Sequence, residues 1–292
     1  MKNNHNFINK INNFSKQEKF DEIYKIINNP KNNNYRACWN WLKNNIDIIR
    51  DDDENTLLLK ASKNNSKIID KLLKYGANPF YTNRWGYDSL SIASQHEQLS
   101  VIKKLIIFEK KLIDHDHQHP PFYLAIERKN KTIIELLLSM EPSLYLVDEN
   151  GENGLHKIAK FILPNSKLFT KFLKLIEKQK NKIEWNKKNV YEKNAWVEAI
   201  INKNYDFSYF LINKQINTDI AILIKEKNIN TNILNKIESH FIVRNITQLK
   251  EGIEVAIANK EYELAKIIKK IVERLKIEEQ LPAGSKEQIR KL

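Results

Sequence analysis

Residues 148–161, DENGENGLHKIAKF, decide how the rest of the chain is read. Asn150-Gly151 is a turn signal, Asn153 can cap a helix with its side-chain oxygen, and Leu155, Ile158 and Ala159 open an apolar helical face. Versions of this stretch recur. Aligning Leu58, Leu90, Phe122, Leu155 and Trp196 gives intervals of 32, 32, 33 and 41 residues, the last implying an insertion of about eight. Two residues before these anchors stand Thr56, Asp88, Pro120, Asn153 and Asn194. All but the proline can accept from the free N–H groups of a helix start, and Pro121 falls at the first helical position, where a missing donor does no harm.

Each anchor therefore predicts a helix. Three residues on lie Ala61, Ala93, Ala125, Ile158 and Ala199, mostly small side chains that let neighbouring helices approach closely. A second apolar segment follows each time: IIDKLL (68–73), VIKKLI (101–106), IIELLL (133–138), LFTKFLKLI (168–176) and FSYFLI (207–212). The unit is a helical hairpin with one apolar face that only a stacked neighbour can cover.

Upstream, FDEIYKIINN puts Phe20, Ile23, Tyr24 and Ile27 on one helical face, and Pro30 ends that element. In ACWNWLKNNIDII the spacing predicts an apolar stripe of Cys38, Trp41, Leu42, Ile46 and Ile49, with Cys38 a small buried hydrophobe. A cysteine before an aromatic residue also occurs in papain-like proteases, but the glycine-rich approach to that site is missing here. Downstream, TDIAILIKEK, NTNILNKIESHF and GIEVAIANKEYELAKIIKKIVERL read as degenerate helical pairs with Ala256 in the small position. LPAGSKEQIRKL is expected to be disordered.

The repeated positions resemble the ankyrin repeat, whose motif runs D-x-x-G-x-T-P-L-H-x-A-A, then V-V-x-L-L-L, then G-A. Residues 148–159 match it at Asp148, Gly151, Leu155, His156 and Ala159; Gly76-Ala77, Gly86, Leu90, Ala93, Pro121 and Ala125 match elsewhere. His117 and Glu192 stand where a turn glycine is expected, which puts the hairpin at Glu192 in doubt. The resemblance implies an all-α, ankyrin-repeat-type α-solenoid of stacked helical hairpins with short β-hairpin fingers and helical caps at both ends. The expected divisions are a cap over 1–52, about five repeats over 53–214, degenerate repeats and a C-terminal cap over 215–280, and a tail over 281–292.

The resemblance also implies a non-enzymatic protein-binding module that works through fingertips and a concave helical face. Arg84, Trp85 and Tyr87 on the second finger, His96 and Arg128 at equivalent ends of first helices, and His117 are the candidate contacts, because aromatic and arginine side chains anchor interfaces. Trp85 could equally fold back on its own unit. His156 is implied to brace a finger by bonding loop backbone. No cofactor is expected. The alternative function is metal binding or catalysis through the finger DHDHQH (114–119), where His115, His117 and His119 would share one side of an extended segment.

Composition narrows the partners. The formal net charge of +13 comes mostly from lysine dispersed among Glu and Asn, whereas bidentate phosphate and base recognition favours arginine, so nucleic acid is disfavoured. No apolar run reaches the roughly 18 residues of a membrane span. One cysteine excludes an internal disulfide and suits a reducing compartment. The Lys/Asn/Ile bias and the Glu residues near the C-terminus also resemble effectors that intracellular bacteria such as Legionella deliver into host cells, although a poxvirus or another AT-rich source gives similar composition. The expectation is a cytoplasmic monomer, delivered without a signal peptide, that binds a eukaryotic host protein.

Overall fold

A computed structural model describes residues 8–64, 67–108, 110–114, 118–162, 166–212, 214, 246–258, 265–266, 268–270 and 272–273. It divides into two compact units, residues 1–149 and 150–292.

In the first unit, α1 (Lys16–Ile27) starts at a capping box. Ser15 Oγ accepts from the Glu18 amide and the Glu18 carboxylate accepts from the Ser15 amide. It buries Phe20, Ile23, Ile26 and Ile27 and packs on α2 (Tyr35–Leu42). The expected stripe of α2 shifts here. Trp39 is the buried indole, 2% exposed, its ring 4.8 Å from that of Tyr75, while Trp41 is only half-buried; the helix stops at Leu42, so Ile46 and Ile49 reach the core from the turns that follow.

The repeats then pair as short helices. They are α3 (Leu57–Lys63) with α4 (Ile69–Lys74), α5 (Ser89–Gln95) with α6 (Leu99–Phe108), and α7 (Pro121–Glu127) with α8 (Lys131–Leu138). Helix α5 packs on both α3 and α7, and α6 packs on α4. The small residues Ala61, Ala93 and Ala125 are fully buried along that line. The second unit holds α9 (Gly154–Phe161), α10 (Lys167–Gln179), α11 (Ala195–Ile201), α12 (Tyr205–Ile212) and α13 (Ile246–Ala258). There α11 packs on α9 and α12.

The first helices begin where the register places them. Thr56, Asp88, Asn153 and Asn194 accept from the amides of Leu59, Ser91, Leu155 and Val197. Pro121 occupies the first turn of α7 after an N-cap at Pro120 with no side-chain bond.

The fingers are hydrogen-bonded turns. Paired strands were expected, but the described residues contain none, and Arg50 with Thr56 forms an isolated bridge. In three of the turns the side chain seven residues before the anchor serves as the template. Asp51 Oδ1 accepts from the Asp53 and Asn55 amides, Asn83 Oδ1 from those of Trp85 and Tyr87, and Asn189 Oδ1 from those of Tyr191 and Lys193. Four residues before the anchor the backbone turns left-handed: Glu54 φ 63°, Gly86 φ 83°, Gly151 φ 72°, Glu192 φ 60°. The doubt over Glu192 is thereby resolved, since the glutamate adopts the conformation that glycine takes at position 151, held by the bonds to Asn189.

Neighbouring fingers are joined within each unit. The Arg84 amide donates to the Asp53 carbonyl and Val190 to Asn150; beside these, Asn83 Nδ2 donates to Asn55 Oδ1 and Asn189 Nδ2 to Glu152 Oε1. Of the degenerate repeats and cap expected over 215–280, residues 215–245 and 274–280 lie outside the described residues, as does the tail expected over 281–292.

Candidate functional site: a fingertip cleft in the first unit

After three of the anchors, Leu90, Phe122 and Leu155, the next residue braces the following loop. His156 Nε2 lies 3.0 Å from the Lys193 carbonyl. A carbonyl only accepts, so Nε2 carries the proton and Nδ1 can accept from the Asn153 amide at 3.3 Å. At the same register Ser91 Oγ donates to the His119 carbonyl at 2.7 Å, and Tyr123 donates its hydroxyl proton to Leu146 at 2.8 Å. Three different side chains thus do one job, and His156, 1% exposed, is structural as its resemblance implied.

His119 is also engaged within the structure. It is 6% exposed, its Nε2 donates to the Trp85 carbonyl at 2.9 Å, and its ring stacks on Tyr87 with centroids 3.8 Å apart. That contact holds the second finger from behind. His115 and His117, the other proposed ligands and a proposed contact, lie outside the described residues. Among the described residues no cluster of three or more His, Cys, Asp or Glu is placed to hold a metal. Cys38 is fully buried, and desolvation pushes its thiol up to about 12, so it is no thiolate at neutral pH.

The braced finger overhangs a cleft of about 270 Å³ with a floor formed by α3 and α5. Trp85, Tyr87 and His96 line it with Lys60, Lys63 and Asp53. Trp85 is 48% exposed, and the Arg84 guanidinium lies 5.0 Å from its ring centroid. Arg84 is held in turn by Asp53 Oδ1 at 3.1 Å and by the Asp52 carbonyl at 3.4 Å. Tyr87 receives a hydrogen bond from Gln95 Nε2 at 3.4 Å. The first finger therefore fixes Arg84, and Arg84 lies against the indole.

His96 and Arg128 occupy corresponding C-cap positions on α5 and α7. Partial burial lowers the His96 pKa, and the positive charges of Lys63 and Arg128 lower it further, so the imidazole is neutral at physiological pH. The structure thus brings Trp85, Tyr87 and His96 to one cleft, with Arg84 beside the Trp85 ring and Arg128 close enough to His96 to influence its charge.

Lys60 and Lys63 were missed from sequence, where they look like solvated lysines. The register could have found them, because they stand two and five residues after their anchor, as Lys157 and Lys160 do in the second unit. There those lysines enter a buried ionic network. Lys157 Nζ lies 2.9 Å from Glu152 Oε2, Lys160 pairs with Glu152 Oε1 and lies 3.5 Å from Glu198 Oε1, and Asn189 Nδ2 bonds both glutamates. Burial alone would push the Glu152 carboxyl up, but the two lysines overcome it and bring the group down to about 2.

No protein-family model matches the chain. A protein of Acanthamoeba polyphaga mimivirus, named as an ankyrin repeat protein, is 29% identical over 153 residues, covering 49% of this chain and 20% of the relative. The chain thus spans about a fifth of that protein's length. The similarity and the helical pairs support an ankyrin-repeat character and a helical fold. They carry no sign of a bacterial origin. Among the described residues no helix is long and apolar enough to cross a membrane.

Proposed function

We propose that this chain is an ankyrin-type interaction module that binds a protein partner across the fingertip cleft of its first unit. The observation that carries the proposal is Trp85, a large aromatic residue 48% exposed beside a fixed arginine, on a finger braced by His119 from behind. A rigid, half-exposed aromatic residue at the rim of a cleft loses little conformational entropy on contact and buries much apolar area, which is why such residues dominate interfaces. The ankyrin resemblance supports reading the helical pairs as a solenoid whose fingers and concave face form the binding surface. An effector acting on a host protein is the finer proposal, and it rests on the composition and the glutamates near the C-terminus.

Affinity capture from eukaryotic lysate, with wild type and Trp85→Ala side by side, tests the proposal. A protein retained by wild type, confirmed with the purified pair, should bind Trp85→Ala at least about tenfold more weakly, as loss of a central aromatic anchor predicts. Equal retention by both would remove this cleft from the binding surface.

A further inference from the structure

The two units place lysines at the same register positions and treat them differently. In the second unit Lys157 and Lys160, two and five residues after Leu155, are neutralised by Glu152 and Glu198. In the first unit Lys60 and Lys63 hold those positions relative to Leu58, but Asn55 replaces Glu152 and Ile92 replaces Glu198. The neighbouring scaffold is the same: Asn83 bonds Asn55 as Asn189 bonds Glu152. Among the described residues, neither Lys60 nor Lys63 has a carboxylate within ion-pair distance.

The acids near these lysines are committed elsewhere. Asp53 pairs with Arg84 at 3.1 Å, and Asp51 accepts from the amides and the side chain of its own turn. The carbonyl end of α3 attracts both cations, but the end of α9 does the same for Lys160, which still gathers carboxylates. Lys63 is close enough to His96 to lower its pKa, as Arg128 is, so the imidazole brings no counter-charge to the lysine.

We propose that the fingertip cleft takes an acidic protein segment, with a Glu or Asp carboxylate placed between Lys60 and Lys63 where the second unit supplies its own, and with neighbouring residues against Trp85. This rests on the protein-binding reading and adds the chemistry of the partner. A carboxylate is favoured over phosphate because the intramolecular precedent at this register, Glu152 against Lys157 and Lys160, is a carboxylate.

The test uses fluorescein-labelled octaglutamate, octaglutamine and an oligothymidylate of matched charge, titrated with the full chain. Octaglutamate should bind, octaglutamine should not, and Lys60→Gln/Lys63→Gln should weaken octaglutamate at least about tenfold, the equivalent of about 1.4 kcal/mol. The exposed pair Lys25→Gln/Lys103→Gln, which removes the same charge elsewhere, should leave binding within about twofold, and Lys60→Arg/Lys63→Arg should retain it, which separates binding from folding. Equal weakening by both Gln pairs, or no octaglutamate binding by wild type, would overturn the proposal. Oligothymidylate bound as tightly and with the same dependence on Lys60 and Lys63 would also overturn it, in favour of a phosphate ligand. If the acidic preference fails while Trp85→Ala still loses its captured partner, the protein-binding reading stands alone; if Trp85→Ala loses nothing, that reading falls as well.

Discussion

Replacing Glu152 by Gln would remove one charge from the centre of the second unit and nothing else of comparable size. Its side chain is 3% exposed and that of Lys157 2%, so the substitution strands an ammonium group out of reach of water. Breaking a buried pair in this way typically costs about 3–5 kcal/mol. The depressed carboxyl pKa leads to a similar figure: a fall from 4.5 to about 2, at about 1.4 kcal/mol per pH unit, corresponds to about 3 kcal/mol. The sign follows from the depressed folded-state pKa. The stabilisation is complete above about pH 4.5 and is lost as pH falls toward 2. Urea unfolding followed by indole fluorescence should therefore show Glu152→Gln less stable by about 3 kcal/mol at pH 7 and by about half that at pH 3. Adding Lys157→Met should recover much of the loss, because the double variant no longer buries a lone charge. A Glu152→Gln protein within about 0.5 kcal/mol of wild type at pH 7 would show that the network is solvated and that the buried-pair argument is wrong.

Asp88 is the anionic member of an otherwise neutral set of caps, and burial raises its carboxyl to about 6. A raised folded-state pKa means stability is greatest below about pH 3.8 and falls as pH rises through 6, so Asp88→Asn, which keeps the acceptor for the Ser91 amide, should stabilise the chain at pH 7 by about 1–3 kcal/mol and do little at pH 4. A lower melting temperature than wild type at pH 7 would refute this. Gly151→Ala forces a Cβ into a left-handed residue, 3.4 Å from the Asn189 backbone, and should lower stability by about 1–2 kcal/mol in denaturant titration. Leu137→Ala, at a fully buried position of α8, should cost about 2–5 kcal/mol, whereas Lys→Ala among the last dozen residues should leave the melting curve unchanged.

The parts of the fold legible in the sequence are those that local chemistry decides. Helix starts at Thr56, Asp88, Asn153 and Asn194 follow from side-chain oxygens at a fixed offset, and the buried line of Ala61, Ala93 and Ala125 follows from size. The finger turns were less legible, because attention to glycine missed the residue that templates them. Once Asp51 or Asn189 ties the amides on either side, Glu54 or Glu192 can take the left-handed conformation that costs an L-residue about 1–2 kcal/mol. Trp39 displaced Trp41 because it shares the helix face of Cys38 and Leu42 and meets Tyr75 from the next helical pair, a contact that spacing within one helix does not reveal. Within the candidate site, the aromatic and arginine residues stood out by type. Lys60 and Lys63 did not, since a lysine on a helix looks the same whether a neighbouring repeat supplies its counter-charge or leaves it unmatched.

The equivalence of repeat positions between the two units is the claim on which the cleft's chemistry depends, and a single titration tests it. In an Asn55→Glu variant labelled for carboxyl carbon NMR, the new carboxylate should meet Lys60, Lys63 and Asn83 as Glu152 meets Lys157, Lys160 and Asn189. It should then titrate well below the usual glutamate range of about 4.3. A carboxyl that titrates at or above that value would show that equal register does not place these lysines alike.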